Sequence, residues 1–146
     1  MPDVVELQPE LIAGVRAEVA AAEVGEFFGR AMGEVASAVP AELVAGPMVA
    51  VYHGDHGDRF DVTVGMPVSA APDAPGITLV ELPAGSALRE THRGPYPGLS
   101  AAYRALREEL TRRGRPWTFA WERYLVGPGD VADAADYVTE VVTPLA

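Results

Sequence analysis

The stretch W-T-F-A-W-E-R-Y-L-V, residues 117–126, is apolar and aromatic almost throughout, yet it carries Glu122 and Arg123 at its centre. Its aromatic and branched residues, flanked by Pro116 and by Gly127-Pro128, read as a β-strand. Alternate side chains of a strand share a face, so Glu122 points with Tyr124 while Trp121 and Arg123 point the other way. Two environments are open to the acid. On a face packed against helices an isolated carboxylate is costly and its pKa should rise. On an edge strand it is a solvated residue or the partner of a nearby arginine.

Just upstream, after the turn T-H-R-G-P-Y-P-G, residues Leu99, Tyr103, Leu106 and Leu110 recur at i, i+4, i+7 and i+11, the spacing of an amphipathic helix. Glu108 is placed to pair with Arg104 and Arg112 on its outer face. Arg112 and Arg113 suit the helix C-terminus, and Gly114 and Pro116 end it. An earlier stripe of Val24, Phe27, Phe28, Ala31, Val35 and Val39 makes a second such helix, closed by Pro40. Around them lie strand-like runs at 4–19, 48–53, 60–68, 77–93, 117–126 and 137–145.

The order strand, helix, strand, strand therefore occurs twice. In the first half a helix leads to G-P-M-V-A-V-Y-H, the turn G-D-H-G-D and D-V-T-V-G-M-P-V; in the second, to R-P-W-T-F-A-W-E-R-Y, the turn V-G-P-G-D and Y-V-T-E-V-V-T-P-L. Each half closes on proline and an aliphatic residue, Pro67-Val68 and Pro144-Leu145. The expected fold is α+β: two tandem strand-helix-strand-strand modules with antiparallel sheets, related by pseudo-twofold symmetry. The pseudo-repeats fall at about 1–72 and 73–146 of a single domain, and a ligand cleft lies between the halves.

Composition narrows the function classes. The 146 residues are 49% hydrophobic and 22% charged, as in globular proteins. No run approaches the roughly 18 apolar residues of a membrane span. The start M-P-D-V-V-E has no basic or apolar leader region, so a cytoplasmic protein, monomer or dimer, is expected. Cysteine is absent, which removes disulfides, thiolate metal sites and cysteine nucleophiles. The net charge of −10 and the lack of any lysine argue against direct nucleic-acid binding. The turn H-G-D-H-G-D, residues 53–58, holds imidazoles and carboxylates but reads as a hairpin connection rather than a metal site, and no cofactor is expected. His92 reads as a structural residue of its Gly-Pro turn. Phe27, Phe28 and Met32 read as core.

The two strand-helix-strand-strand units, the T-H-R-G-P-Y-P-G-L-S-A-A-Y segment, the W-E-R-Y-L strand and the ending T-E-V-V-T-P-L together resemble the GyrI-like small-molecule-binding domain. The same domain forms the effector-binding half of many AraC-type and MerR-type activators. The resemblance implies an aromatic cleft between the halves and a glutamate on the penultimate strand that attracts hydrophobic, aromatic, cationic molecules. Here that residue is Glu122, with Tyr124 beside it; Tyr52 and Tyr96 are implied wall residues and Trp121 a rim residue. Glu140 matches a last-strand glutamate of the family, and Val142 stands where ligand-sensing relatives can carry an aromatic. Some stand-alone relatives hydrolyse strained cyclopropane-containing alkylating compounds, a role that would make Glu122 and Tyr124 an acid–base pair. The family name also implies DNA gyrase as a protein partner. The chain is expected to be the stand-alone form, without a DNA-binding domain.

Overall fold

The computed structural model describes residues 2–54 and 57–145. Its elements run β1 (Asp3–Leu7), β2 (Glu10–Ala20), α1 (Val24–Ala38), β3 (Val49–Tyr52) and β4 (Arg59–Val68), then β5 (Thr78–Leu82), β6 (Gly85–Arg93), α2 (Leu99–Arg112), β7 (Ala120–Val126) and β8 (Val138–Pro144). The repeated unit is thus strand-strand-helix-strand-strand, one strand more than the sequence pattern suggests. Each long run at the start of a half breaks in two, at Gln8-Pro9 and at Pro83-Ala84. Proline lacks the N–H that a ladder requires, so each break falls where pairing changes strands.

The strands form one antiparallel sheet in the order β1-β6-β8-β7-β3-β4-β2-β5. The two halves exchange their first strands: β1 pairs with β6, and β5 pairs with β2. They also meet along the central seam, where β3 lies against β7 with Ala50 opposite Glu122. Each half's sheet is completed by the other, so the core is shared.

Both faces of the sheet are packed. On one face α1 lies over β2 and β4 through Phe27, Ala31 and Val35. On the same face α2 lies over β6 and β8 through Leu99, Ala102, Leu106 and Leu110. The opposite face buries Ile12, Val49, Val51, Leu82, Ala87, Trp121 and Val142 in one cluster. These residues come from six strands spread almost edge to edge, so the sheet curls toward that face into a half-barrel. The curl requires close approach of β2 and β4 at the cross-strand pair Gly14–Gly65. A Cβ on Gly14 would sit 2.6 Å from the Val64 carbonyl oxygen.

On α2 it is Glu109, not Glu108, that takes up the C-terminal arginines. Its carboxylate accepts from Arg113 Nε at 2.7 Å and from Arg112. Glu109 is buried and Glu108 exposed, so the inner member of the acidic pair holds the helix end. No helix of the described residues is long and apolar enough to cross a membrane.

Candidate functional site: a carboxylate at the floor of an aromatic cavity

With α1 over one half and α2 over the other, the seam strands β3 and β7 form the floor between the helices. Glu122 stands on this floor, flanked by Ala50 of β3 and Val141 of β8. It is 6% exposed. Tyr103, reaching down from α2, donates its hydroxyl to Glu122 Oε2 at 2.5 Å. Tyr124, two residues along the strand, donates to Oε1 at 2.5 Å. Each carboxylate oxygen is therefore held by one phenol.

Two opposing effects act on the acid. Burial disfavours its charged form, and the two phenol hydrogen bonds favour it. Burial wins, and the Glu122 pKa is raised above the ordinary carboxylate range. No arginine forms an ion pair with it among the described residues. The surrounding phenols respond in kind. Burial, and then the charge of Glu122, push Tyr52, Tyr103 and Tyr124 well above the ordinary phenol value, so they remain protonated donors.

Above Glu122 opens a cavity of about 720 Å³. The first half contributes Tyr52 and Phe60, whose rings meet edge to face at 5.5 Å. The second half contributes Tyr103 and Trp117, tilted against each other at 5.9 Å. Apart from Gly54, the remaining wall is one stripe of α2: Ser100, Arg104, Arg107, Glu108 and Thr111 recur with Tyr103 at helical spacing. The Arg107 guanidinium lies over the Trp117 ring, 4.0 Å from its centroid.

The residues expected from sequence divide into three groups. Glu122 and Tyr52 line the cavity. Tyr124 and Tyr96 form a tier behind it: Tyr124 is 9% exposed, and Tyr96 packs edge-on against it at 5.8 Å. Phe28 of α1 also meets Tyr124 edge to face, so the first helix supports the site from its core side.

Trp121 and Glu140 are the third group, and both are corrections. Trp121 is no rim residue. It is 2% exposed in the core of the curled face, beside Phe119, because strand alternation turns it away from Glu122 and the curl supplies that face with its own core. Glu140 pairs across strands with Arg123 and Thr91 on that same far side, and its carboxylate lies 3.6 Å from Arg89. It therefore points away from the cavity. Val142 is likewise in the far core, so its departure from the family's aromatic leaves the cavity wall unchanged.

Sequence reading missed Tyr103, Trp117, Phe60 and the two arginines. Tyr103 counted as one more member of an apolar stripe, although a hydroxyl in such a stripe needs a partner when buried, and that partner is Glu122. His92 serves its turn: Nε2 lies 2.9 Å from the Pro95 carbonyl oxygen and the ring covers Gly98, where a Cβ would meet it at 2.5 Å. Of the H-G-D-H-G-D turn, Asp55 and His56 lie outside the described residues; His53 meets Thr63 Oγ1 at 2.8 Å.

The fold recurs in solved structures. The EcmrR C-terminal domain matches with a TM-score of 0.79 at 20% identity, over 100% of this chain and 97% of that one. In the EcmrR–DNA complex the TM-score is again 0.79 at 22% identity, over 99% of this chain, and the chain spans only 56% of that protein's length. SAV2435 bound to tetraphenylphosphonium matches with a TM-score of 0.76 at 11% identity, over 100% of this chain and 94% of that one. A hydrolase from Listeria innocua matches with a TM-score of 0.63 at 11% identity, over 99% and 91%. At these identities the likeness is one of fold. None of the curated proteins matches the chain. The sequence model of one family, however, matches residues 1–146, and the chain belongs to the GyrI-like small molecule binding domain family.

Proposed function

We propose that the protein binds hydrophobic, aromatic and cationic small molecules in the cavity above Glu122, in a multidrug-binding or resistance role. The observation that carries this reading is the buried carboxylate at the cavity floor, held by two phenols and, among the described residues, by no arginine. A ligand cation supplies the charge that the fold withholds, and the aromatic pairs on either side offer π faces to the same cation. The likeness to SAV2435 bound to tetraphenylphosphonium supports it.

A second reading draws on the same acid. A glutamate with a raised pKa beside protonated phenols has the makings of a general base and acid for hydrolysis of a strained cyclopropanoid electrophile, with Glu122 activating water and Tyr124 or Tyr103 as the proton donor. The likeness to the Listeria innocua hydrolase supports this reading. Binding requires less of the site, because it needs no ordered water.

Thermal unfolding with increasing tetraphenylphosphonium tests the first reading. A ligand that binds only the folded state raises its stability by about 2.7 kcal/mol at a hundred times its dissociation constant. The melting temperature should climb with ligand concentration. The rise should be smaller in Tyr52→Ala and in Trp117→Ala, which each remove one aromatic wall. A flat melting temperature up to about a millimolar ligand, where even weak sites fill, would count against the reading.

A further inference from the structure

The two halves put aromatic rings at corresponding places around Glu122. Tyr52 lies two residues beyond Ala50 on β3, and Tyr124 two beyond Glu122 on β7, on either side of the facing pair Ala50–Glu122. Phe60 and Tyr137 each stand two residues before the cross-strand partner of that tyrosine, Val62 in one half and Thr139 in the other. Phe28 and Tyr103 are each the fifth residue of their helix. One of these sets, Tyr52, Phe60 and Tyr103, lines the cavity. The other set has taken in a further ring. Tyr96 meets Tyr124 edge-on at 5.8 Å and lies tilted against Tyr137 at 5.1 Å, while Phe28 meets Tyr124 from the helix side at 6.2 Å. Tyr96 opens the short 3-10 turn before α2; the same place in the turn before α1 is Ala21, which has no ring to send inward.

Glu122 serves both sets, because it gives Oε2 to Tyr103 of the cavity set and Oε1 to Tyr124 of the other. We infer that Tyr96 is a specificity-determining residue: it fills from within a second lobe across Glu122 from the cavity, and so confines ligands to aromatic cations whose rings all lie on the Tyr103 side of the acid. The inference rests on the reading of the cavity as a ligand site and deepens it. A ring set edge-on to Tyr124 takes the place where a ligand ring would gain the same burial and the same ring contacts. Tyr96 packs against the core beneath α1 and the core beneath α2 alike, so it closes the gap between them. It is only half-buried, and its truncation would leave a space open to solvent rather than a sealed void. Thr139, opposite Tyr124 on the neighbouring strand, keeps a buried Oγ1 without a hydrogen-bond partner among the described residues, where the cavity side has Val62. The filled side therefore carries a polar group that its present filling leaves unsatisfied.

The probes are a naphthyl-methyl-imidazolium and a dinaphthyl-imidazolium, cations that carry one or two aromatic arms on a flat ring that holds the arms pointing apart. With the charge at Glu122 and one arm in the cavity, the second arm points across to Tyr96. Calorimetric titration gives the ratio of two-armed to one-armed affinity within each protein, which removes any general damage from a substitution. The wild type should show no preference for the two-armed cation. In Tyr96→Ala the ratio should rise about tenfold, the gain from partly burying one further ring, and Tyr96→Phe, which keeps the ring, should leave it at the wild-type value. Tyr96→Leu vacates less space but retains apolar packing, so a rise of about threefold is expected there even if the alanine variant does not fold. A wild type that prefers the two-armed cation, a ratio unchanged in Tyr96→Ala and Tyr96→Leu, or an equal rise in Tyr96→Phe would overturn the inference, while binding of the one-armed cation and tetraphenylphosphonium still upheld the cavity as a cation site. If neither of those two binds the wild type, the ligand-site reading itself falls and this inference with it.

Discussion

Glu122→Gln should cost a lipophilic cation about 2 to 5 kcal/mol of binding free energy, the range for removing one partner of a buried charge pair. At 1.4 kcal/mol per factor of ten, the weaker end is already about thirtyfold. The substitution keeps the size of the side chain, and its amide can still accept from one phenol through Oε1 and donate to the other through Nε2, so the loss reports mainly on charge rather than shape. The same exchange should act oppositely on the empty protein. Burial raises the Glu122 pKa in the folded state. Its favourable contribution to stability is therefore fully present below the unfolded carboxylate value and is lost as pH rises through the raised folded value. The glutamine variant, which has nothing to ionise, should be more stable than the wild type at neutral pH and gain nothing in strong acid. Cation binding to the wild type should strengthen across the same upward pH window, as the carboxylate ionises. If Glu122 is instead a general base, turnover of a strained electrophile should drop roughly 100- to 10,000-fold in the same variant. Calorimetry, denaturation at two pH values and product analysis on one pair of proteins distinguish these outcomes. Unchanged cation affinity with unchanged turnover would reduce Glu122 to a structural acid.

Trp121→Ala should destabilise the fold by about 3 to 5 kcal/mol, the cost of truncating a large aromatic in a packed core. Trp121 is 2% exposed and shares its cluster with Val49, Val51, Leu82 and Val142, so its loss opens a void that neighbours on rigid strands fill only in part. Trp117→Ala offers the contrast. That indole is half-buried at the cavity wall, and its removal should affect ligand binding more than stability. The two tryptophans, four residues apart, thus report on opposite faces of one sheet. Urea unfolding of both variants checks the assignment. A loss under about 1 kcal/mol for Trp121→Ala, the level of an ordinary surface change, would mean that the curled face is not a core.

The sequence made the repeated order of elements legible because helix stripes and alternating strands leave periodic marks, and both helices fall where those marks put them. It also put Glu122 and Tyr124 on one face, since alternation is local. The exchange of β1 and β5 between halves left no periodic mark, because pairing partners lie 64 to 86 residues apart; only Pro9 and Pro83 hinted that the long runs break. The curl of the sheet is equally non-local. It gave Trp121 a core to enter on the far face, which alternation alone could not foresee, while the pairing of β8 with β6 set Glu140 diagonally beside Arg89. Tyr103 was hidden for the opposite reason. Its position fits the apolar stripe of α2, and helical periodicity marks it as core without pointing to the carboxylate that accepts its hydroxyl at 2.5 Å.

The most direct test of Glu122 as the counter-charge of the cavity compares tetraphenylphosphonium with tetraphenylborate by calorimetry. The two ions share a shape and an aromatic surface and differ in the sign of their charge. With a buried carboxylate at the floor and arginines only on the solvent-exposed wall, where their charge is screened, the acid dominates the selection. Tetraphenylphosphonium should bind at least about a hundredfold more tightly than tetraphenylborate, a difference that double-mutant measurements on close buried charges make reasonable. Equal affinities, or tighter binding of the borate, would contradict the account at its centre.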